Sequence, residues 1–392
     1  MAGACANAFE PKDIMAFSVG PVVVKPHLAI SETYDDNVLY SASGNKESAF
    51  STTVAPSVTL RLGREGAENR ITFNYVYSQF WYHDGPPSLD TAMSHNLGLN
   101  AAFQRNRLSA QTSFTLAFMD TVYGGYESFD QGALTRSSTV ERIAYGLTQN
   151  LGYRFSEKIE GHGSFSFNAT DFRDPGAYYD QETWRLVGGA GYFVRPKIRL
   201  FTEVHYAQTS SDPNLSLMAK PPDMDTLGVS FGVGFPISDR LSGSAQVGYE
   251  QNTWDDDQGD FGALTANLSV TAKLTDKTTA TLSYNRSGSA SIQAYASAYV
   301  GDRFALNLAQ TIGNVRPVGL SLGFSYGVNT YETGGVEGLS NDHFGVNFRI
   351  GYSLLEWLQT SLSYDYSRSS GGSGTAVDYD SNRVMLMVNI GY

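Results

Sequence analysis

Glu203 and His205 stand two residues apart, which places both on one face of an extended strand. A carboxylate beside an imidazole in that way could orient a general base. The other histidines are His27, His83, His95, His162 and His343, and none has a second histidine or a cysteine at metal-ligand spacing. HExxH and CxxC patterns do not occur, and the single cysteine, Cys5, can form no internal disulfide. Same-face i, i+2 pairs arise often by chance in strands, so Glu203 and His205 read as part of a polar wall. No catalytic residue, metal site or cofactor is expected. The segment WDDDQGDFG (Trp254–Gly262) crowds four acids around one glycine. Its spacing does not follow the EF-hand series, so it reads as a solvated acidic loop, with a diffuse divalent-cation site as the other reading.

What would position such residues? The chain has 392 residues, with 17% charged side chains, 40 Gly, 24 Tyr and 22 Phe. Soluble proteins carry about 25% charge. No apolar run reaches the roughly 18 residues of a membrane-spanning helix. The mean hydropathy of −0.25 is unremarkable, but strands that alternate lipid-facing and water-facing residues hide their apolar half in such an average. A net charge of −12 argues against nucleic acid as a partner. Near the start, Ala6-Asn7-Ala8 has the small-x-small form of a signal-peptidase site, with too few residues before it for an apolar core. Residues 1–21 therefore read as a remnant of a signal or N-terminal periplasmic segment, and 22–392 as one domain.

The period is two throughout. In DTLGVSFGVGFP, Leu227, Val229, Phe231, Val233 and Phe235 alternate with Gly and Ser. RPVGLSLGFSYGVN sets Val318, Leu320, Leu322, Phe324, Tyr326 and Val328 against small or polar residues. Such alternation signals strands, here of the length that crosses a bilayer at a tilt. Nine long polar loops alternate with eight short turns, which predicts about 18 strands in an unbroken meander. The expected fold is all-β, a transmembrane up-and-down antiparallel barrel. The longest loop is expected at Asp120–Ser137, another at Arg286–Ser291, and the weakest strand spans Ile292–Ile312. Acids collect in the long loops and bases near the short turns, so the long loops are expected outside and both termini on the periplasmic side.

In lipid the outward face must be apolar, and parity then assigns the rest to the lumen. Predicted pore-lining residues are Arg61, Arg70, Arg142, Arg154, Arg185, Arg195, Arg199, Glu203, His205, Glu250, Arg303 and Arg349. Phe193, Phe201, Tyr295 and Tyr299 share that parity and could stack sugar rings. Tyr75, Tyr77, Trp81, Tyr145, Tyr153, Trp184, Tyr192, Tyr206, Tyr249, Tyr284, Tyr326, Tyr352 and Tyr364 take the lipid face, as interfacial girdles do. RVMLMVNIGY (Arg383–Tyr392) reads as the closing strand, paired with Val22–Tyr34 because an open edge cannot sit in lipid.

FSVGPVVVKPHLAISETYDDNVLY (Phe17–Tyr40) enters its first strand through Gly-Pro and ends it in Tyr-Asp-Asp-Asn-Val. This opening, with the strand rhythm up to Tyr392, resembles the putative β-barrel porin 2 family. The resemblance implies an outer-membrane barrel of a Gram-negative-type bacterium, often encoded beside exopolysaccharide assembly and export genes. It brings no catalytic residues. Leu386, Val388, Ile390 and Tyr392 resemble the C-terminal signal read by the barrel-assembly machinery, although that signal more often ends in Phe. The function expected is a porin-like channel for polar solutes, poly- or oligosaccharide among them. Its partners would be outer-membrane lipid and lipopolysaccharide, the assembly machinery during insertion, and polysaccharide export components. The alternative is a structural or adhesive barrel that binds a surface partner through its acidic outer loops.

Overall fold

The structure, a computed structural model, describes residues 16–42, 44–63, 67–87, 89–121, 139–173, 179–213, 223–255, 260–290, 298–314, 316–332, 338–371 and 378–391. A short lead, β1 (Phe17–Val19), precedes the barrel strands. The first six are β2 (Val22–Asp35), β3 (Ala49–Leu62), β4 (Arg70–Asp84), β5 (Thr91–Arg105), β6 (Leu108–Thr121) and β7 (Val140–Arg154). The next six are β8 (Ile159–Phe172), β9 (Tyr179–Arg195), β10 (Ile198–Pro213), β11 (Met224–Ser238), β12 (Leu241–Trp254) and β13 (Phe261–Thr275). The last six are β14 (Thr278–Ala290), β15 (Ala298–Ile312), β16 (Val318–Tyr331), β17 (Ser340–Leu355), β18 (Leu358–Gly371) and β19 (Tyr379–Gly391).

Every barrel strand pairs antiparallel with its successor, and β19 returns to β2, from Arg383↔Asp35 to Gly391↔His27. The result is a closed antiparallel barrel of 18 strands. Closure leaves no lateral edge, the condition for a sheet to stand in lipid. A typical strand here has 14 residues. At roughly 3.3 Å per residue and a tilt near 45°, that gives about 33 Å along the barrel axis, enough to cross a hydrocarbon core. No helix among the described residues is long and apolar enough to cross a membrane.

Eight connections on the short-turn side, from β3–β4 to β17–β18, alternate with nine on the long-loop side, as expected. Asn106, with φ 52°, turns the Asn106-Arg107 hairpin, as the primed two-residue turns require. Gly20, with φ 59°, and Pro21 fold β1 back on β2, so that Phe17–Val19 pairs with Val22–Val24. This is the stretch of β2 that the register with β19 leaves uncovered, since that register ends at His27.

Three expectations shift. β14 does not end at Arg286 but continues to Ala290, paired with Asp302 through Ala298. Ser287, Gly288, Ser289 and Ala290 are too small to show a period of two, yet the ladder needs only their backbones. β15 begins at Ala298 and runs unbroken through Gly301-Asp302, and β18 extends to Gly371, into the stretch Ser367–Asp380 expected as a long loop. Most of Asp120–Ser137, the middle of Trp254–Gly262, Tyr295 and the closing Tyr392 lie outside the described residues.

One face of the sheet carries large apolar side chains in the open: Phe231 is 62% exposed, Val247 64% and Leu264 68%. Phe231 faces Val247 across β11 and β12, Leu264 faces Tyr249 across β12 and β13, and together they define the outward face. All thirteen aromatics expected on the lipid side share its parity. Several hydroxyls and one indole N–H reach polar partners on the adjacent strand or their own. Tyr284 donates to Asp302 (2.6 Å), Tyr364 to Asn382 (2.7 Å) and Trp184 to Gln208 (3.1 Å). An amphipathic ring with its polar tip satisfied suits a membrane–water boundary.

Candidate functional site: the inner wall

On the concave side of a curved sheet, side chains from next-but-one strands converge, and here they touch. His162 Nε2 on β8 lies 2.8 Å from Glu203 Oε1 on β10, and Gln246 on β12 donates to Glu203 Oε2 at 2.8 Å. Arg199 Nη2 donates to His162 Nδ1 at 3.0 Å, while its Nε stands 2.6 Å from Glu160 Oε1. A guanidinium can only donate, so Nδ1 of His162 accepts and Nε2 carries the proton given to Glu203. Those contacts hold the imidazole ring in one orientation.

Glycine makes these contacts possible. His162 and Glu203 both register with Gly189 of the intervening β9. A Cβ there would lie 2.3 Å from His162 Nε2. The pattern repeats on β11, where a Cβ on Gly228 would meet the His205 ring at 2.2 Å. His205 crosses that glycine to stand 3.6 Å from Glu250 on β12, and both are buried. Glu250 also accepts from the Gly288 backbone N–H at 2.6 Å. Glu203 and His205 therefore share a face but not a contact: each is engaged by a different neighbour, and no base–orienter pair forms between them.

All twelve residues predicted to line the pore have inward parity, but their settings differ. Arg154 stands over the Phe193 ring at 5.2 Å and Arg199 over Phe201 at 4.8 Å, so these rings meet arginine first. Arg70, Arg154, Arg185, Arg195 and Arg349 are exposed, while Arg61, Arg199, Glu203 and Arg303 are half-buried. The Glu203 and Glu250 carboxylates are the electrostatic neighbours of Arg185. Arg142 is buried and bonds to Val140 O (3.4 Å) and to the Met119 sulfur (3.6 Å). Tyr299 is buried with Tyr331, ring centroids 6.2 Å apart.

A gradient runs along the barrel. Toward the long-loop end the inner face is withdrawn from solvent: Asn252, Asn329, Asn341, Ser369 and Tyr331 are fully buried. Toward the short-turn end the inner face stays more open, and there Arg70, Arg154, Arg195 and Arg349 are exposed. The amide oxygens of Asn252 and Asn341 are partnered, whereas Asn252 Nδ2 is buried with no hydrogen-bond partner among the described residues. Thr226 donates to Asn252 at 2.6 Å and Ser369 to Asn341 at 3.2 Å.

Sequence reasoning missed the cluster that fastens the β2–β19 seam at its long-loop end. Arg383 Nε donates to Asp35 Oδ2 at 3.1 Å, and Arg383 Nη2 to Tyr40 Oη at 2.7 Å. Fully buried Asn37 donates from its backbone to Asp35 Oδ1 and from its side chain to Asp380 O. Lys46 reaches Asp380 at 2.5 Å and Asp36 at 3.5 Å. Partial burial opposes the Lys46 charge, but the Asp380 and Asp36 carboxylates outweigh it and raise its pKa above the ordinary lysine value. The available signal was positional: Asp35 and Arg383 face one another as soon as the closing register is written out.

A family model described as putative beta-barrel porin 2 matches residues 177–392, more than half of the chain. The chain belongs to that family. Solved structures similar to this porin include the outer membrane protein opdK from Pseudomonas aeruginosa, at 10% identity and a TM-score of 0.47, covering 94% of this chain and 98% of that one. OccAB4 of Acinetobacter baumannii follows at 12% identity and a TM-score of 0.47, covering 93% and 97%. OpdQ of Pseudomonas aeruginosa has 10% identity and a TM-score of 0.46, covering 95% and 98%. No curated protein matches this porin.

Proposed function

We propose that this porin conducts polar solutes through the outer membrane with a preference for anions, and that its cargo is poly- or oligosaccharide moving in exopolysaccharide export. One observation carries the preference: inward-facing Arg70, Arg154, Arg195 and Arg349 are exposed in the open, short-turn half, whereas Glu160 and Glu203 are engaged by Arg199 and His162. A basic vestibule raises the local concentration of anions. The effect reaches about 30 Å at 0.01 M salt and about 10 Å at 0.1 M. In this reading the short turns and both termini face the periplasm. Lipopolysaccharide meets the aromatic girdle, the barrel-assembly machinery inserts the chain, and export components deliver the polymer to the arginines.

Reversal potentials in planar bilayers under a KCl gradient test the preference. Anion selectivity at low salt that fades at high salt is expected; cation selectivity would overturn the reading. A second reading is an adhesive barrel, favoured by the burial of the inner face toward the long loops. Absent conductance, together with loss of cell-surface binding when Asp120–Ser137 is deleted, would select it.

A further inference from the structure

In the open half, β16 and β17 carry facing inward glycines, Gly319 and Gly351. The Cβ position of each has no neighbour nearer than 4.0 Å, the backbone oxygen of the other glycine. The wall is hollowed there into a recess of about 260 Å³, near the lower end of the roughly 300–1,000 Å³ of small-molecule sites. Arg349, Gln359, Ser361 and Asn389 line it. Arg349 is exposed and spends one donor on Ser361 Oγ, at 3.0 Å, which leaves the rest of its fork to the lumen. The lining holds this one cation and no carboxylate.

We propose that the Gly319–Gly351 recess binds one hydroxylated carboxylate of pyranose size, the repeat unit of an acidic polysaccharide. The proposal rests on the solute-channel reading above and names its solute class. The guanidinium takes the carboxylate, and a bidentate fork gives that contact its orientation. Gln359, Ser361 and Asn389 both donate and accept, as ring hydroxyls require. The flat glycine floor lets the ring lie against the backbone. A zwitterionic solute such as an amino acid would leave its ammonium unmatched, because no acid lines the recess.

The test is equilibrium binding of D-galacturonate to the purified, folded full chain in detergent, by calorimetry, with D-galactose and acetate as comparison ligands. Galacturonate should bind about tenfold or more tightly than either, since one ligand lacks the charge and the other the ring. Arg349→Gln should weaken galacturonate binding about tenfold and leave galactose binding within about twofold. Gly351→Leu should abolish both by filling the recess. Folding of each variant is checked by heat-modifiable gel mobility, and Gln359→Ala replaces Gly351→Leu if that variant misfolds, with an expected loss of several-fold. Equal affinity for acetate and galacturonate, or an unchanged affinity in folded Arg349→Gln, overturns the proposal. Conductance of the wild-type protein without sugar reads the pore separately, so a closed pore and an empty recess are distinguishable failures.

Discussion

Arg383→Gln should loosen the barrel at its seam, and the size of the effect follows from the surroundings of Asp35. That carboxylate has 6% side-chain exposure, against 42% for Arg383. Stripping one partner from a fully buried ion pair costs about 3–5 kcal/mol. Two features reduce the figure here. Solvent already screens the arginine, and Asp35 keeps the Asn37 backbone N–H at 2.9 Å and the Ser381 hydroxyl at 2.8 Å. About 2 kcal/mol remains. With roughly 2.1 cal/mol/K of unfolding entropy per residue over 392 residues, that corresponds to a fall of about 2–3 °C in Tm. The double variant Asp35→Asn, Arg383→Gln removes the unpaired charge and should recover at least half of the loss. The assay is urea unfolding in detergent, followed by the gel mobility of folded and unfolded barrel, run as a double-mutant cycle. If Arg383→Gln lies within about 0.5 kcal/mol of wild type, or the two single losses simply add, the seam does not depend on this pair.

Other consequences can be measured in the same material. Gly189→Val should displace His162 from Glu203, since its Cβ would sit 2.3 Å from Nε2, and cost about 1–3 kcal/mol in urea midpoints; a neutral result would remove glycine from the account of the inner wall. Leu264→Lys, at a position 68% exposed on the outward face, should cost about 2–4 kcal/mol of stability in lipid vesicles if it sits near the bilayer midplane, and a much smaller cost would place it near an interface. The raised pKa of Lys46 keeps its pairing with Asp380 intact below the ordinary lysine value and removes it only as pH rises through the higher folded one. The Lys46→Met destabilisation should therefore be constant from pH 7 to about pH 10 and shrink above that; a decline already at pH 8 would contradict the pairing.

Much of the fold was legible because alternation and closure are local rules. Leu227, Val229 and Phe231 announce both their strand and their outward face, and the aromatics of the girdle follow from the same parity. What escaped is what depends on register across several strands. Glu203 and His205 look like partners along β10, yet each is engaged over a glycine by a residue from another strand. No local pattern marks Gly189 or Gly228 as the floor beneath an imidazole. The end of β14 escaped for a different reason: Ser287 through Ala290 carry no apolar signal, and only the hydrogen-bond ladder to β15 reveals them. Asp35 and Arg383 looked like an ordinary loop acid and the last charge before an apolar run, because their meeting exists only once the barrel is shut.

That meeting also bears on the order of folding. Every other neighbour in the barrel is the next strand in sequence, so those pairings form as hairpins with little chain to gather. Arg383 and Asp35 are 348 residues apart, and closing so long a loop costs about 5 kcal/mol of chain entropy by the logarithmic rule. Among the described strands the seam is thus the one non-local pairing, and the edges of β2 and β19 wait for it. β1 shortens the exposed edge at no such cost, because its partner is three residues away. A chain shorn of Phe17–Val19 should close more slowly and aggregate more readily during refolding, even where the finished barrel is equally stable.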